Sequence, residues 1–184
     1  MTEDKSHIAC TLKAFARISH FLPTNFKVLD VGCGYGLLKK VFEYNGCEWH
    51  GLDIEPAFTG RPNITLAPMW QTPYADNTFD IVFVCHSFEH SEYPLQSLKE
   101  FIRICKHNGY IFMSTPVYCT RQLFKREDGH EDADHIFVLT NEQLIKLFHY
   151  LKQKEILSWQ EIMDAKNDWY NSQVTFVIVQ KGNK

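Results

Sequence analysis

Three groups of residues have the types and spacing to do chemistry. In "KVLDVGCGYGLLKK" (27–40) an apolar run ends in Asp30, and Gly32, Gly34 and Gly36 follow at every second position. In "GLDIEP" (51–56) a second apolar run ends in Asp53, 21 residues beyond Gly32. The third group is histidine-bearing: "CHSFEH" (85–90) with His86, Glu89 and His90, and "GHEDADH" (129–135) with His130, Glu131, Asp132, Asp134 and His135. Glycines between a strand and a helix let backbone approach a ligand closely. A dinucleotide loop would read G-x-G-x-x-G, but counting from Gly32 the last glycine position holds Leu37. Asp30 also argues against a pyrophosphate, because like charges repel in a partly desolvated site, and it favours a cation. Asp53 can accept the two hydroxyls of a ribose. A ribose joined to a cationic group describes S-adenosyl-L-methionine (SAM). Its sulfonium and ammonium would face Asp30 and the loop, and its ribose would face Asp53.

These residues need a scaffold, and the hydropathy pattern supplies one. Ile8, Leu12, Phe15, Ile18 and Leu22 recur at helical spacing, which predicts an N-terminal helix within residues 1–25. Apolar runs predict strands at 26–31, 47–54, 63–67, 79–86 and 109–116. Helices are predicted over 36–45, from Pro94 to Lys106, and over 141–151, the last opened by a Thr140/Gln143 capping box. A short connection, "EPAFTGRP" (55–62), leaves little room for a helix between the second and third strands. Asp80 is expected to hold the start of the fourth strand, Asp76–Asn77 to form a turn before it, and Gly109 to be a turn glycine. Two β-like runs at 154–163 and 173–180 predict a closing hairpin. Strands that alternate with helices and read as continuous apolar runs imply an α/β fold with a mostly parallel sheet covered on both faces. Ligands of such sheets sit beyond the C-terminal strand ends.

"VLDVGCGYG", "GLDIEP", "YADNTFDIVFVCHSFEH" and "FIRICKHNGYIFMSTP" occur in this order, and together they resemble the class I SAM-dependent methyltransferases, specifically the small type 11 group, from about residue 26 to 150. The resemblance implies a three-layer Rossmann-like sandwich. Its seven-stranded, mostly parallel sheet has an antiparallel last strand. It implies cofactor contacts from Asp30, Gly32, Cys33, Gly34, Gly36, Asp53, Ile54 and His86. The group commonly places an acidic residue after the third strand to meet the adenine amino group; here "LAPMWQTP" puts Pro68 there. Adenine is therefore expected to pack against Met69 or Trp70, with Trp70 as loop core the competing reading.

Methyl transfer from a sulfonium needs positioning and exclusion of water, and a base only where the acceptor must lose a proton. His86 and His135 are the candidate catalytic residues. Glu89 and His90 can instead cap and orient the loop after the fourth strand. A third reading is a divalent-metal site. Ubiquinone-pathway O-methyltransferases and small-RNA 3′-end methyltransferases carry E-x-x-E-H at this place, and His86-x-x-Glu89-His90 differs by one histidine. No metal is expected. Residues 117–135 are long and polar enough for a flap over the acceptor.

The 184 residues suit one domain, with 45% apolar and 22% charged residues. A net charge of −3 leaves no electrostatic footprint for DNA, and no apolar run is long enough to span a bilayer. The polar start "MTEDKSHIAC" does not read as a signal peptide, and the six cysteines show no C-x-x-C pair, so reduced thiols and a cytoplasmic setting are expected. The expected activity is transfer of a methyl group from SAM to a small-molecule O or N acceptor, a metabolite, lipid or sugar. RNA or protein acceptors, and a non-catalytic partner subunit of the same fold, are the alternatives.

Overall fold

The computed structural model describes residues 12, 15, 16, 19, 24–116, 136, 137, 139–162 and 173–182, without the side chains of 154–162 and 173–176. Seven strands form one sheet: β1 (Lys27–Val31), β2 (Glu48–Asp53), β3 (Ile64–Leu66), β4 (Phe79–Cys85), β5 (Cys105–Pro116), β6 (Lys154–Ile162) and β7 (Gln173–Gln180). Their order is β3-β2-β1-β4-β5-β7-β6. β1 to β5 pair in parallel, and β7 runs antiparallel to both β5 and β6, so the expected hairpin closes the sheet. The connections reverse direction between β1 and β4. That switch point opens a crevice at their C-terminal ends, where the glycine loop and the "CHSFEH" turn both emerge.

Alternation along the strands sends neighbouring side chains to opposite faces. Leu29, Val31, Val82, Val84, Ile111 and Met113 pack with Leu98, Phe101 and Ile104 of helix α2 (Pro94–Ile104) and with Leu144 and Phe148 of α3 (Asn141–Tyr150). Val28, Ile81, Phe83 and Phe112 pack on the other face with Trp49, with Phe42 of α1 (Lys39–Tyr44) and with Phe15. Of the expected N-terminal helix, residues 12, 15 and 16 are helical, and Phe15 meets Phe42 edge-on at 5.1 Å; the rest lies outside the described residues. The expected flap, 117–135, also lies outside them.

Polar contacts tie these elements at their ends. Asp80 accepts from Lys27 N–H at 2.9 Å and from Lys106 Nζ at 2.8 and 2.9 Å, so it anchors β4 to β1 and β5 as the sequence suggested. Arg103 of α2 donates to Glu100, to Asp76 and to the Tyr74 carbonyl, while Glu100 accepts from Thr72 N–H and Oγ1. The loop after β3 is thereby strapped to α2. The Thr140/Gln143 capping box is formed.

Local expectations change at the starts of α1 and β5. α1 begins at Lys39, because residues 34–38 are spent on the turn that leaves β1. β5 begins at Cys105, not at Gly109: the β4–β5 register shifts between Phe79 and Ile81, so Gly109 sits inside a bulged strand. A Cβ at Gly109 would lie 2.7 Å from the Asp80 carbonyl, and that contact, not a turn, accounts for the glycine. Between β2 and β3 only a 3-10 turn, Pro56–Phe58, is present, as the short connection implied.

One β2 position fixes how closely the glycine loop can approach. A Cβ on Gly51 would meet Cys33 Sγ at 2.5 Å and the Trp49 ring at 2.7 Å. Gly51→Ala is expected to cost about 1–3 kcal/mol in denaturant unfolding, as overpacking does. Gly182→Ala, with nothing within 4 Å of its Cβ position, is the control and should change stability by less than about 0.5 kcal/mol.

Candidate active site

The loop after β1 is held from beneath. Gly32 N–H and Cys33 N–H both donate to the Leu52 carbonyl, at 2.8 and 3.1 Å. Gly32 has φ +71°, and a Cβ there would lie 2.3 Å from Ser87 Cβ, so both backbone and space demand glycine. Ser87 in turn donates to the Val31 carbonyl at 2.8 Å, bracing the loop against the turn after β4. Gly34, at φ +52°, has open space where a Cβ would stand. Its N–H donates to Asp53 Oδ2 at 2.8 Å, and Asp53 Oδ1 accepts from Ile54 N–H and Glu55 N–H at 2.8 and 3.0 Å. Three backbone donors therefore fix the Asp53 carboxylate at the lip of the crevice.

A cavity of about 380 Å³ fills that crevice. Of the sequence-predicted residues, Gly32, Asp53, Ile54, Met69, Trp70 and His86 line it; Asp30, Cys33, Gly34 and Gly36 do not. Met69 also packs against the main core, and Trp70 meets Tyr93 edge-on at 5.2 Å, so the loop after β3 forms an apolar wall with an aromatic rim. Ser87, His90 and Glu92 also line the cavity. Ser87 and Glu92 went unremarked in the sequence. The available signal was only their place beside the "CHSFEH" turn, since isolated Ser and Glu residues carry no pattern.

Asp30 lies under the loop on the Trp49 face, 5% exposed, and accepts from Trp49 Nε1 at 3.2 Å. Burial pushes its carboxyl up to about 7; the Trp49 hydrogen bond opposes the rise and the nearby Asp53 charge adds to it. Burial, helped by Asp30 and Asp53, also pushes the Cys33 thiol far up, so Cys33 is a neutral packing residue.

His86 follows β4 with φ +48°, the left-handed region that is strained for a non-glycine residue. Its N–H donates to the Ser114 carbonyl at 2.9 Å, which holds the backbone in that turn. Nδ1 of His86 is 3.7 Å from Oε1 of Glu89. Glu89 is 1% exposed, and its Oε2 accepts from Thr115 Oγ1 at 3.3 Å. Burial raises the Glu89 carboxyl to about 7, against hydrogen bonds from its own N–H and from Thr115. Among the described residues no three His, Cys, Asp or Glu side chains are grouped to hold a metal ion; His130 and His135 lie outside those residues.

Residues 29–113, just under half of the chain, match the family model described as a methyltransferase domain, and the fold is that of solved SAM-dependent methyltransferases. The particular relatives are distant. An uncharacterized methyltransferase of Mycobacterium tuberculosis is 31% identical over 105 residues, covering 52% of this chain and 41% of its own length. A ubiquinone biosynthesis O-methyltransferase of Photobacterium profundum is 30% identical over 101 residues, 48% of this chain and 43% of its own. The chain thus spans about two fifths of the length of these relatives. The crystal structure of Burkholderia thailandensis 1,6-didemethyltoxoflavin-N1-methyltransferase, with 1,6-didemethyltoxoflavin and S-adenosylhomocysteine bound, superposes with a TM-score of 0.73 at 13% identity, over 99% of this chain and 80% of that one. Among the described residues no helix is long and apolar enough to cross a membrane.

The raised Asp30 carboxyl has a consequence for stability. A carboxyl whose value rises on folding from 3.8 to about 7 stabilises the fold fully below pH ~4. That contribution is lost as pH climbs through ~7. Asp30→Asn keeps the acceptor for Trp49 without the charge. Its melting temperature should exceed that of the parent at pH 8, by an amount equivalent to a few kcal/mol, and the gap should close by pH 4. Equal gaps at both pH values would show that Asp30 is not buried as described.

Proposed function

We propose that this protein transfers the methyl group of SAM to a small-molecule O or N acceptor. The observation that carries the proposal is one cavity lined both by Asp53 at the lip of the glycine loop and by His86 at the end of β4. The fixed Asp53 carboxylate suits the ribose hydroxyls. Gly32 and the open Gly34 leave room for the methionine part, and Met69 and Trp70 offer an apolar surface to adenine. Asp30, just beneath, supplies negative charge toward the sulfonium through the loop. The acceptor then enters beside His86, with His90 and Glu92 at the same rim. An acceptor hydroxyl gives its proton to His86 as its oxygen attacks the methyl carbon. An amine that is already neutral needs only positioning. The similarity to a ubiquinone biosynthesis O-methyltransferase and to the fold of a 1,6-didemethyltoxoflavin-N1-methyltransferase supports an acceptor of that size.

Isothermal titration with SAM and S-adenosylhomocysteine tests the reading without knowing the acceptor. Both should bind. Asp53→Ala should weaken each by about tenfold or more, since each carries the ribose, equivalent to ~1.4 kcal/mol or above. Asp30→Asn should weaken SAM more than its neutral product. The SAM preference of the parent should grow between pH 6 and pH 8, as the Asp30 carboxyl ionises around pH 7. Tighter binding of NADH than of either ligand would sink the assignment.

A further inference from the structure

We infer that Tyr35 is a positioning residue of the candidate cofactor site: its ring, clasped by Phe58 and Arg61, holds the glycine loop where the Gly34 N–H reaches the Asp53 carboxylate. The purpose of this clasp rests on the methyl-transfer reading above; its geometry does not. Residues 34–36 read Gly-Tyr-Gly, and both glycines are left-handed, at φ +52° and +76°. Tyr35 is therefore the one side chain by which this stretch can be tied to anything outside itself. Its ring meets Phe58 edge-on, with centroids 5.0 Å apart at 76°. The Arg61 guanidinium stands over both rings, with Cζ 4.9 Å from the Tyr35 centroid and 5.6 Å from that of Phe58. Phe58 is 7% exposed and forms a fixed wall, while Tyr35, 49% exposed, closes against it from the solvent side.

The two residues that clasp Tyr35 are themselves fixed relative to Asp53. Asp53 Oδ1 accepts from Glu55 N–H at 3.0 Å. The Glu55 carbonyl accepts from Phe58 N–H at 3.1 Å, the Phe58 carbonyl from Arg61 N–H at 3.2 Å, and the Arg61 carbonyl from Ile64 N–H at 3.2 Å, where β3 begins. The connection from β2 to β3 is thus a chain of short turns with the ribose-side carboxylate at one end and the clasp in its middle. The glycine loop comes to this connection from β1 and meets it twice, through Gly34 N–H on Asp53 Oδ2 at 2.8 Å and through the Tyr35 ring. Glycines at 34 and 36 give the loop backbone its freedom, and the ring between them takes that freedom away. Tyr35 does not line the cavity, whereas Asp53 does. Its influence on a ligand therefore passes through Gly34 and Asp53. An edge-on aromatic pair and a cation over the ring together favour the closed loop by roughly tenfold.

The test reads the Gly34 amide by NMR in ¹⁵N-labelled protein, free and with S-adenosylhomocysteine, and needs no acceptor. The parent, Tyr35→Ala, Tyr35→Phe and Arg61→Ala are compared, and Asp53→Ala marks the Gly34 signal of the broken hydrogen bond. In Tyr35→Ala the Gly34 amide proton should move toward its Asp53→Ala position. Its exchange with solvent should quicken about tenfold, while the Val82 amide of the central strand β4 keeps its parent rate within about twofold. Tyr35→Phe should restore the parent behaviour, because the ring and not the hydroxyl makes these contacts. Arg61→Ala should give a smaller change in the same direction, and it decides the matter if Tyr35→Ala does not fold. By titration calorimetry S-adenosylhomocysteine should bind at least about threefold more weakly to Tyr35→Ala and unchanged to Tyr35→Phe. An unmoved Gly34 signal, an equal acceleration at Val82, or unaltered S-adenosylhomocysteine binding despite a displaced loop would overturn the inference. Failure of the parent to bind S-adenosylhomocysteine would count against the methyltransferase reading alone, since Gly34 is read in the free protein as well.

Discussion

The site depends on how closely the backbone after β1 can lie against β2 and the turn after β4. Two amide donors on one carbonyl, Leu52, pull the loop down, and Ser87 closes it from the other side through the Val31 carbonyl. No side chain fits at residue 32 or 51 under that geometry, because Ser87, Cys33 and Trp49 already occupy the space. Asp53 can bind Gly34 N–H only because this approach has been made. The crevice, its carboxylate lip and its open glycine follow from that one packing constraint.

Two buried carboxyls sit behind the cavity, and each is held differently. Asp30 has one hydrogen bond, from Trp49, and little else to offset its desolvation. Glu89 has Thr115, its own amide and the neighbouring His86. Both are pushed toward neutrality at physiological pH, an arrangement that a purely structural core would avoid.

The loop after β3 is supported from outside the cavity. Arg103 and Glu100 on α2 hold Thr72, Tyr74 and Asp76, and this fixes the segment that carries Met69 and Trp70. The apolar cavity wall is thereby braced by a salt-bridged helix.

The sequence by itself determined the sheet, because apolar runs of strand length alternate with helical periods, and local pattern suffices to place them. It also pointed to Asp53, Met69, Trp70 and His86, since a residue just past a parallel strand has only the C-terminal edge to occupy. Tertiary structure alone decided which of the motif residues reach the cavity. Asp30 and Gly32 are two apart in the chain, yet Asp30, inside β1, is buried against Trp49, while Gly32, past the strand's end, lines the wall. The start of β5 and the role of Gly109 were likewise hidden, because a bulge is a property of pairing with β4 and leaves no mark on local hydropathy. The contact of Glu89 with Thr115 joins two strand ends that are 26 residues apart. No spacing rule could announce it, since it exists only where β4 and β5 lie side by side.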